Sequence, residues 1–265
     1  MIKKFSYFLY KILTLLDKGF NYLTKRSILI YFKEFFLKDS YKNINILDKN
    51  INFFTPNEIT EWRVKTFFTK EPETIEWIDG FKNKKNLIFW DIGANVGLYS
   101  IYNSLKNTNS TTISFEPSSS NLRVLTRNIS INNLEDKIKV FPLPLTNKKN
   151  KFLIMKERDF VEGGALNSFG EDFDFEGKSF TGNMKYSLIG TTIDYLIEKN
   201  ILEIPDHIKI DVDGIEHLIL DGGKKILKNK KIMSMSIEIN ENFKEQFSKV
   251  MEIMHECGFR KLHKK

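Results

Sequence analysis

Cysteine is almost absent from this 265-residue chain: Cys257 is alone, so no intrachain disulfide framework and no zinc site built from cysteines can exist. That usage fits a reducing compartment, the cytoplasm. Six prolines and 14 glycines are too few for a collagen-like or low-complexity chain. Long apolar runs are missing as well. Met1–Leu16 begins basic and apolar, but Lys11 interrupts it and no small-residue cleavage site follows, so neither a signal peptide nor a spanning segment is expected. What is present is globular usage: 41 % hydrophobic, 28 % charged and 13 % aromatic residues, 23 of them Phe.

The net charge of +7 is unevenly placed. Residues 1–40 hold eight Lys or Arg against three acids, so +5 falls there and only +2 on the remaining 225 residues. A nearly neutral body argues against nucleic acid as a partner, and no N-P-P-[YF] base-flipping motif occurs. Lys4, Lys11, Lys18 and Lys25 recur every seven residues in one stripe of a helix whose other faces carry Phe5, Phe8, Leu9, Ile12, Leu15, Leu16 and Leu23. This amphipathic segment suits an α-helical cap on the main domain. It also suits peripheral contact with the inner face of a membrane through residues 1–40.

Two regions are expected: a mainly helical cap or lid segment over 1–86 and an α/β domain over 87–265. Within the first, 41–86 reads as linker and lid, with a short helix around Ile75, Trp77 and Ile78. From Leu87 short apolar runs alternate with helical stretches, the pattern of a parallel Rossmann-like sheet covered by helices on both faces. Strands are predicted at Leu87–Ile92, Thr111–Glu116, Ile138–Leu143, His207–Val212 and Ile232–Ile239, with a further short one at Gly258–Leu262. Helices are predicted near Val96–Lys106, Ser119–Asn132, Ile193–Lys199, Ile215–Leu227 and Phe243–Cys257. Arg158–Ser187 breaks the alternation with interleaved Gly and Phe, and reads as a substrate-facing loop.

The chemistry concentrates in three places. Phe89–Tyr99 is a strand, a glycine loop and a helix start, the geometry that brings backbone close to a ligand at the carboxyl end of a strand. Its glycines, Gly93 and Gly97, have G-x-x-x-G spacing instead of the G-x-G-x-x-G of dinucleotide folds. Asp91 precedes them; a carboxylate there repels a pyrophosphate and attracts a cation. S-adenosylmethionine, carrying an ammonium and a sulfonium, therefore fits better than NAD. Glu116 ends the next strand, 23 residues after Gly93, near the offset at which an acid accepts ribose hydroxyls.

Along His207–Ile215, Lys209, Asp211 and Asp213 alternate with Ile208, Ile210 and Val212, an arrangement that costs energy in a covered strand unless the charges are paired or at work. Glu216 and His217 follow, and Glu238 ends the last predicted strand at the same rim. Asp211 is the first candidate for a base or an orienting group, with Glu216, His217 and Glu238 as further candidates. Asp211, Asp213 and Glu238 also offer hard oxygens for Mg²⁺ or Mn²⁺, and with Lys209 they equally suit a buried ion-pair network. His207, at the other end of its strand, reads as structural, and Cys257 as buried filler.

Phe89–Tyr99, Ser114-Phe115-Glu116-Pro117, Thr191-Thr192-Ile193-Asp194 and Lys209–Glu216, in that order, resemble the FkbM-type S-adenosylmethionine-dependent methyltransferases over about residues 87–240. Trp62–Asp79, with its Lys70-Glu71-Pro72-Glu73-Thr74 step, is similar to a region preceding the loop in some members. The resemblance implies a cofactor held by Asp91, Gly93, Ala94, Asn95, Gly97, Tyr99, Glu116 and Pro117. It also implies methylation of a hydroxyl on a small-molecule or glycan acceptor, often a sugar of a surface polysaccharide. Many members carry Glu where this chain has Asp213. A non-catalytic module that kept the cofactor pocket would show the same loop, whereas a nicotinamide oxidoreductase is disfavoured by Asp91 and the glycine spacing.

Overall fold

Why the strands form where they do is plainest in the middle of the chain, in a computed structural model that describes residues 1–82 and 84–262. The chain divides into two compact units, Met1–Lys42 and Asn43–Lys265. The first contains helices α1 (Ile2–Thr24) and α2 (Leu29–Lys38). The turn between them is fixed by Asp17, whose carboxylate accepts the Ser27 hydroxyl at 2.9 Å and the backbone N–H groups of Ile28 at 2.6 Å and Leu29 at 3.1 Å. Among the described residues no helix is long and apolar enough to cross a membrane.

A two-stranded sheet of β1 (Tyr41–Ile46), which starts in the last two residues of the first unit, and β2 (Lys49–Phe54) comes next, then helices α3 (Glu58–Lys65), α4 (Phe67–Lys70) and α5 (Pro72–Asp79). Residues 43–86 therefore count with the larger unit, where the sequence reading grouped them with the N-terminal segment. Phe53, Phe54, Phe67 and Ile78 of this stretch are wholly buried core residues. Asn57 caps α3 by accepting the Thr60 N–H, while the Thr60 side chain accepts the Asn57 N–H, a reciprocal capping box.

The central sheet follows: β3 (Leu87–Ile92), α6 (Leu98–Lys106), β4 (Ser110–Phe115), α7 (Ser119–Ser130) and β5 (Ile138–Phe141). The chain then makes β6 (Lys151–Glu157), β7 (Ser168–Phe169) and β8 (Met184–Gly190), an antiparallel sheet in the order β7-β6-β8. After α8 (Ile193–Glu198) it returns to the parallel sheet with β9 (His207–Ile210), α9 (Glu216–Asp221), α10 (Lys224–Leu227), β10 (Ser234–Ile237) and α11 (Lys244–Glu256). The described parallel strands lie in the order β10-β9-β3-β4-β5. All six residues of β3 are buried, as a strand covered on both faces requires.

Strand order reverses at β3: the chain first builds outward through β4 and β5, then crosses back to place β9 on the opposite flank. The crevice at the carboxyl ends of β3, β4 and β9 is thus the switch point at which open α/β sheets bind ligands. Three expectations change. The stretch Arg158–Ser187 is not one loop, since β7 and the start of β8 lie within it. The helix predicted over Ile215–Leu227 is two short helices separated at Gly222-Gly223. Gly258–Leu262 forms no strand, which leaves β10 at the edge of the described sheet.

Candidate functional site

The glycine loop leaves β3 and is fastened to β4 immediately, because the N–H groups of Gly93 and Ala94 both donate to the Phe115 carbonyl at 3.0 Å. Gly93 has φ +85°, and a Cβ there would lie 1.8 Å from the Asp211 carbonyl oxygen. No side chain fits. The loop therefore runs against the end of β9, with the Asp211 N–H donating to the Ile92 carbonyl at 3.0 Å. Asp91, at the end of β3, is buried and accepts the Ser100 hydroxyl at 2.5 Å, and Ser100 continues to Ser114 at 2.7 Å. Burial pushes the Asp91 carboxyl above its ordinary value, against the pull of Lys209.

Glu116 lies one residue past β4 and is 5 % exposed. One of its oxygens accepts the Asn95 N–H at 2.7 Å and the other the Ser118 N–H at 2.8 Å, tying the glycine loop to the start of α7. Burial pushes its pKa up to about 8 in spite of those donors. A further hydrogen bond reaches the carboxylate from the Asn121 side chain.

A cleft of about 590 Å³, open to solvent, follows these strand ends. Ile92, Phe115, Leu143, Pro144 and Met155 give it apolar walls, and Gly93, Asn95, Glu116, Asp211 and Asp213 its polar groups. Residues Gly163–Phe169 run along it as a strap. Asn95 and Asn121 donate to the Gly164 carbonyl at 2.8 and 3.1 Å, and Arg63 to the Gly163 carbonyl at 2.6 Å. At the far end the Asp213 carboxylate accepts the N–H of Leu166 at 2.7 Å. Burial, with Asp211 close by, pushes Asp213 up to about 6.

A second cleft of about 430 Å³ adjoins the first and shares Gly93, Asn95 and Asp211 with it. Arg63, Phe67, Lys70, Glu71, Tyr99 and Lys209 contribute to its walls. Lys209 is buried, holds Asp211 at 2.7 Å and lies over the Tyr99 ring at 5.0 Å from its centroid. Burial alone would lower the Lys209 pKa, but the carboxylates of Asp211, Asp91 and Glu71 outweigh it and keep the ammonium charged. Burial likewise would raise Asp211, yet Lys209 and a hydrogen bond from Glu238 hold it well below the usual carboxylate range. Glu238 carries the proton of that pair, and the adjacent Asp211 pushes its pKa up to about 9.

Of the expected site residues, the structure brings together Gly93, Asn95, Glu116, Pro117 and Asp211 around the first cleft, and Ala94, Tyr99 and Asp211 around the second, whereas Asp91, buried against Ser100, and Gly97, packed against Leu125, line neither. Glu238 joins them through Asp211. Glu216 is a turn fastener: it accepts the N–H groups of Val212 at 3.1 Å and Gly214 at 3.1 Å and the side-chain amide of Gln246. His217 packs between Phe173 and Phe243, with ring centroids at 6.3 and 6.2 Å, and lines neither cleft. The metal set does not assemble. Asp213 is turned to the strap and Asp211 to Lys209 and Glu238, and among the described residues no three His, Cys, Asp or Glu converge to hold an ion. His207 is structural, stacked on Phe81 at 3.7 Å and bonded to Ser234 at 2.8 Å. The strap falls within Arg158–Ser187, the stretch read from sequence as a substrate-facing loop, whereas Arg63 and Asn121 were missed because their roles come from contacts across long stretches of chain.

A parallel sheet with a switch-point crevice, a glycine loop after its central strand and an acid ending the next defines a Rossmann-like domain for an adenosine-bearing cofactor. The model of the methyltransferase FkbM domain matches residues 91–261. The chain therefore belongs to the FkbM methyltransferase domain family, whose members are of the S-adenosylmethionine-dependent class. Among solved structures, methyltransferase FkbM from Methylobacillus flagellatus KT is 16 % identical at a TM-score of 0.42, covering 75 % of this chain and 49 % of its own. Precorrin-6y C5,15-methyltransferase from Geobacter metallireducens GS-15 is 14 % identical at 0.43, covering 72 % and 73 %. An S-adenosylmethionine-dependent methyltransferase from Agrobacterium tumefaciens is 11 % identical at 0.42, covering 82 % and 58 %. This chain thus spans about half the length of the Methylobacillus protein. No curated protein matches the sequence.

Proposed function

We propose that this chain transfers a methyl group from S-adenosylmethionine to a hydroxyl of a small-molecule or glycan acceptor, a sugar or sugar nucleotide used in surface polysaccharide. The observation that carries the reading is Asp211, an ionised carboxylate fixed by Lys209 where the two clefts meet.

The residues present fit the cofactor. Gly93 leaves no room for a side chain, and Asn95, whose buried Oδ1 has no hydrogen-bond partner among the described residues, lines both clefts. Phe115, Leu143 and Pro144 would take the adenine, and Glu116 the ribose hydroxyls. Lys70 and Arg63 with Glu71 in the second cleft complement a zwitterionic amino-acid end. When bound, the cofactor supplies a methyl group already activated by its sulfonium.

The remaining work is positioning and proton handling, and oriented reactants alone supply roughly 7–11 kcal/mol of barrier reduction. Asp211 accepts a hydrogen bond from the acceptor hydroxyl and aims its oxygen. The hydroxyl proton becomes far more acidic as that oxygen gains its new bond, so a weakly basic carboxylate suffices to take it. Lys209 keeps Asp211 ionised and in place, and Glu238 is the neighbouring group that titrates.

The test supplies purified protein with S-adenosylmethionine and a panel of sugar nucleotides and oligosaccharides, read by mass spectrometry. A gain of one methylene at a sugar oxygen, with Asp211→Asn lowering kcat and leaving cofactor affinity intact, supports the reading. Cofactor binding without transfer to any hydroxyl, or transfer to nitrogen or carbon instead, overturns it.

A further inference from the structure

The N-terminal unit has a feature that methyl transfer does not use. Placed at 100° per residue, Ile2, Phe5, Phe8, Leu9, Ile12, Leu15, Leu16, Phe20 and Leu23 of α1 fill one arc of roughly 140°. The opposite arc carries Lys3, Lys4, Lys11 and Lys18, with Tyr7, Tyr10 and Tyr22 among them and Asp17 as its sole acid. The apolar arc should be buried, and it is not. Among the described residues no side chain of α1 or α2 is buried; Phe5 is 61 %, Leu15 71 % and Leu23 80 % exposed. The second helix repeats the pattern, with Phe35 60 % and Phe36 66 % exposed beside Lys33 and Lys38.

This is no frayed tail. Asp17 clamps the start of α2 with three donors, and Lys11 lies over the Tyr7 ring at 5.1 Å, so the hairpin is formed while its apolar face stays uncovered. An exposed apolar face of this extent marks an interaction surface. Its charge selects the partner: eight Lys or Arg against three acids in residues 1–40, on a protein whose remainder is almost neutral. Bulky aromatics on one face and lysines and tyrosines on the other describe a helix lying in the plane of a lipid interface.

We infer that α1 and α2 dock the protein on the surface of an anionic lipid bilayer. The apolar arc enters the boundary between headgroups and acyl chains, and the lysine stripe meets the anionic headgroups. The inference does not rest on the reading of the acceptor.

The test is co-sedimentation of the full chain with vesicles of phosphatidylcholine containing roughly 30 % phosphatidylglycerol, against vesicles of phosphatidylcholine alone. Binding at least about tenfold tighter to the anionic vesicles, weakening with added salt, is the expected result. Replacing Phe5, Phe8, Leu15 and Leu16 together by Ser releases the protein, and replacing Lys4, Lys11, Lys18 and Lys25 by Gln removes the preference for anionic lipid. S-adenosylmethionine titration of both variants shows that the larger unit still folds. A protein that stays in the supernatant with anionic vesicles overturns the inference. So does a wild-type dimer that the Ser substitutions convert to monomer with no change in sedimentation, because a second copy would then be what covers the face.

Discussion

Replacing Gly93 by Ala tests how closely the glycine loop must approach β9, and Gly258 provides a matched control. Both glycines have φ +85°, so an alanine at either carries the same backbone strain, about 1–2 kcal/mol for an L-residue in the left-handed region. At Gly258 a Cβ meets nothing within 4 Å; at Gly93 it would lie 1.8 Å from the Asp211 carbonyl oxygen. That oxygen belongs to backbone held by the bond from Asp211 N–H to the Ile92 carbonyl, so it cannot swing aside as a side chain could. Relieving the overlap adds the cost of overpacking, about 1–3 kcal/mol, and of a weakened ladder bond, about 1 kcal/mol. Gly258→Ala should therefore lose about 1–2 kcal/mol and Gly93→Ala about 3–6 kcal/mol. At roughly 2–4 °C per kcal/mol for a unit of this size, Tm falls by about 2–8 °C in the control and about 6–24 °C in Gly93→Ala. Thermal melts of the two variants, with calorimetric titration of S-adenosylmethionine, make the comparison; the second measurement should show affinity lost only in Gly93→Ala. Equal melting temperatures and equal affinities would refute the close-approach argument.

Other outcomes follow from the charged groups. Glu238, with its pKa pushed to about 9 by Asp211, holds a proton at neutral pH, so kcat/KM should rise as pH rises through about 9 and Glu238→Gln should flatten that limb. A fall through the same range would contradict the assignment. His207 is held near pKa 4 by burial against an ordinary 6.5, so the unfolded chain binds its proton first. Stability present above pH 6.5 is then lost as pH falls toward 4, by roughly 3 kcal/mol, and urea titrations of His207→Phe should show a shallower loss. Asp213→Ala should speed amide exchange at Leu166 and Asn167 by roughly ten- to a hundredfold, since their acceptor is gone, while unchanged exchange would mean that the strap does not depend on it. Glu116→Ala should weaken S-adenosylmethionine binding tenfold or more in calorimetry, because the Asn95 N–H loses its anchor as well.

Much of the site could be read from the chain because it lies within single strand-loop-helix units. The apolar run ending in Asp91, the two glycines and the acid after β4 are neighbours in sequence, and the fold has only to lay two strands side by side. The alternation around Lys209 and Asp211 announced charges that needed partners, and the structure pairs them. Reading failed where a side chain's direction depended on a turn. Glu216 and His217 follow the same strand, yet the turn sends Glu216 back onto the N–H groups of Val212 and Gly214 and His217 among phenylalanines. The sheet made by β6 and β8 was also missed. Its signal is the inward alternation of Tyr186, Leu188 and Gly190, which the Gly- and Phe-rich stretch before it obscured.

The sequence by itself determined the parallel sheet, the glycine loop, the acid after the second parallel strand and the amphipathic N-terminal helix, because each is a matter of local periodicity, burial on both faces or charge along one helix. Only the tertiary structure decided that Asp213 fastens a strap, that Arg63 and Lys70 share a cleft with Asp211, and that no third carboxylate among the described residues completes a metal set. These are contacts between segments tens to more than a hundred residues apart. The direction and protonation of a carboxylate follow from which donors and charges the packed chain sets around it, and no local spacing records that.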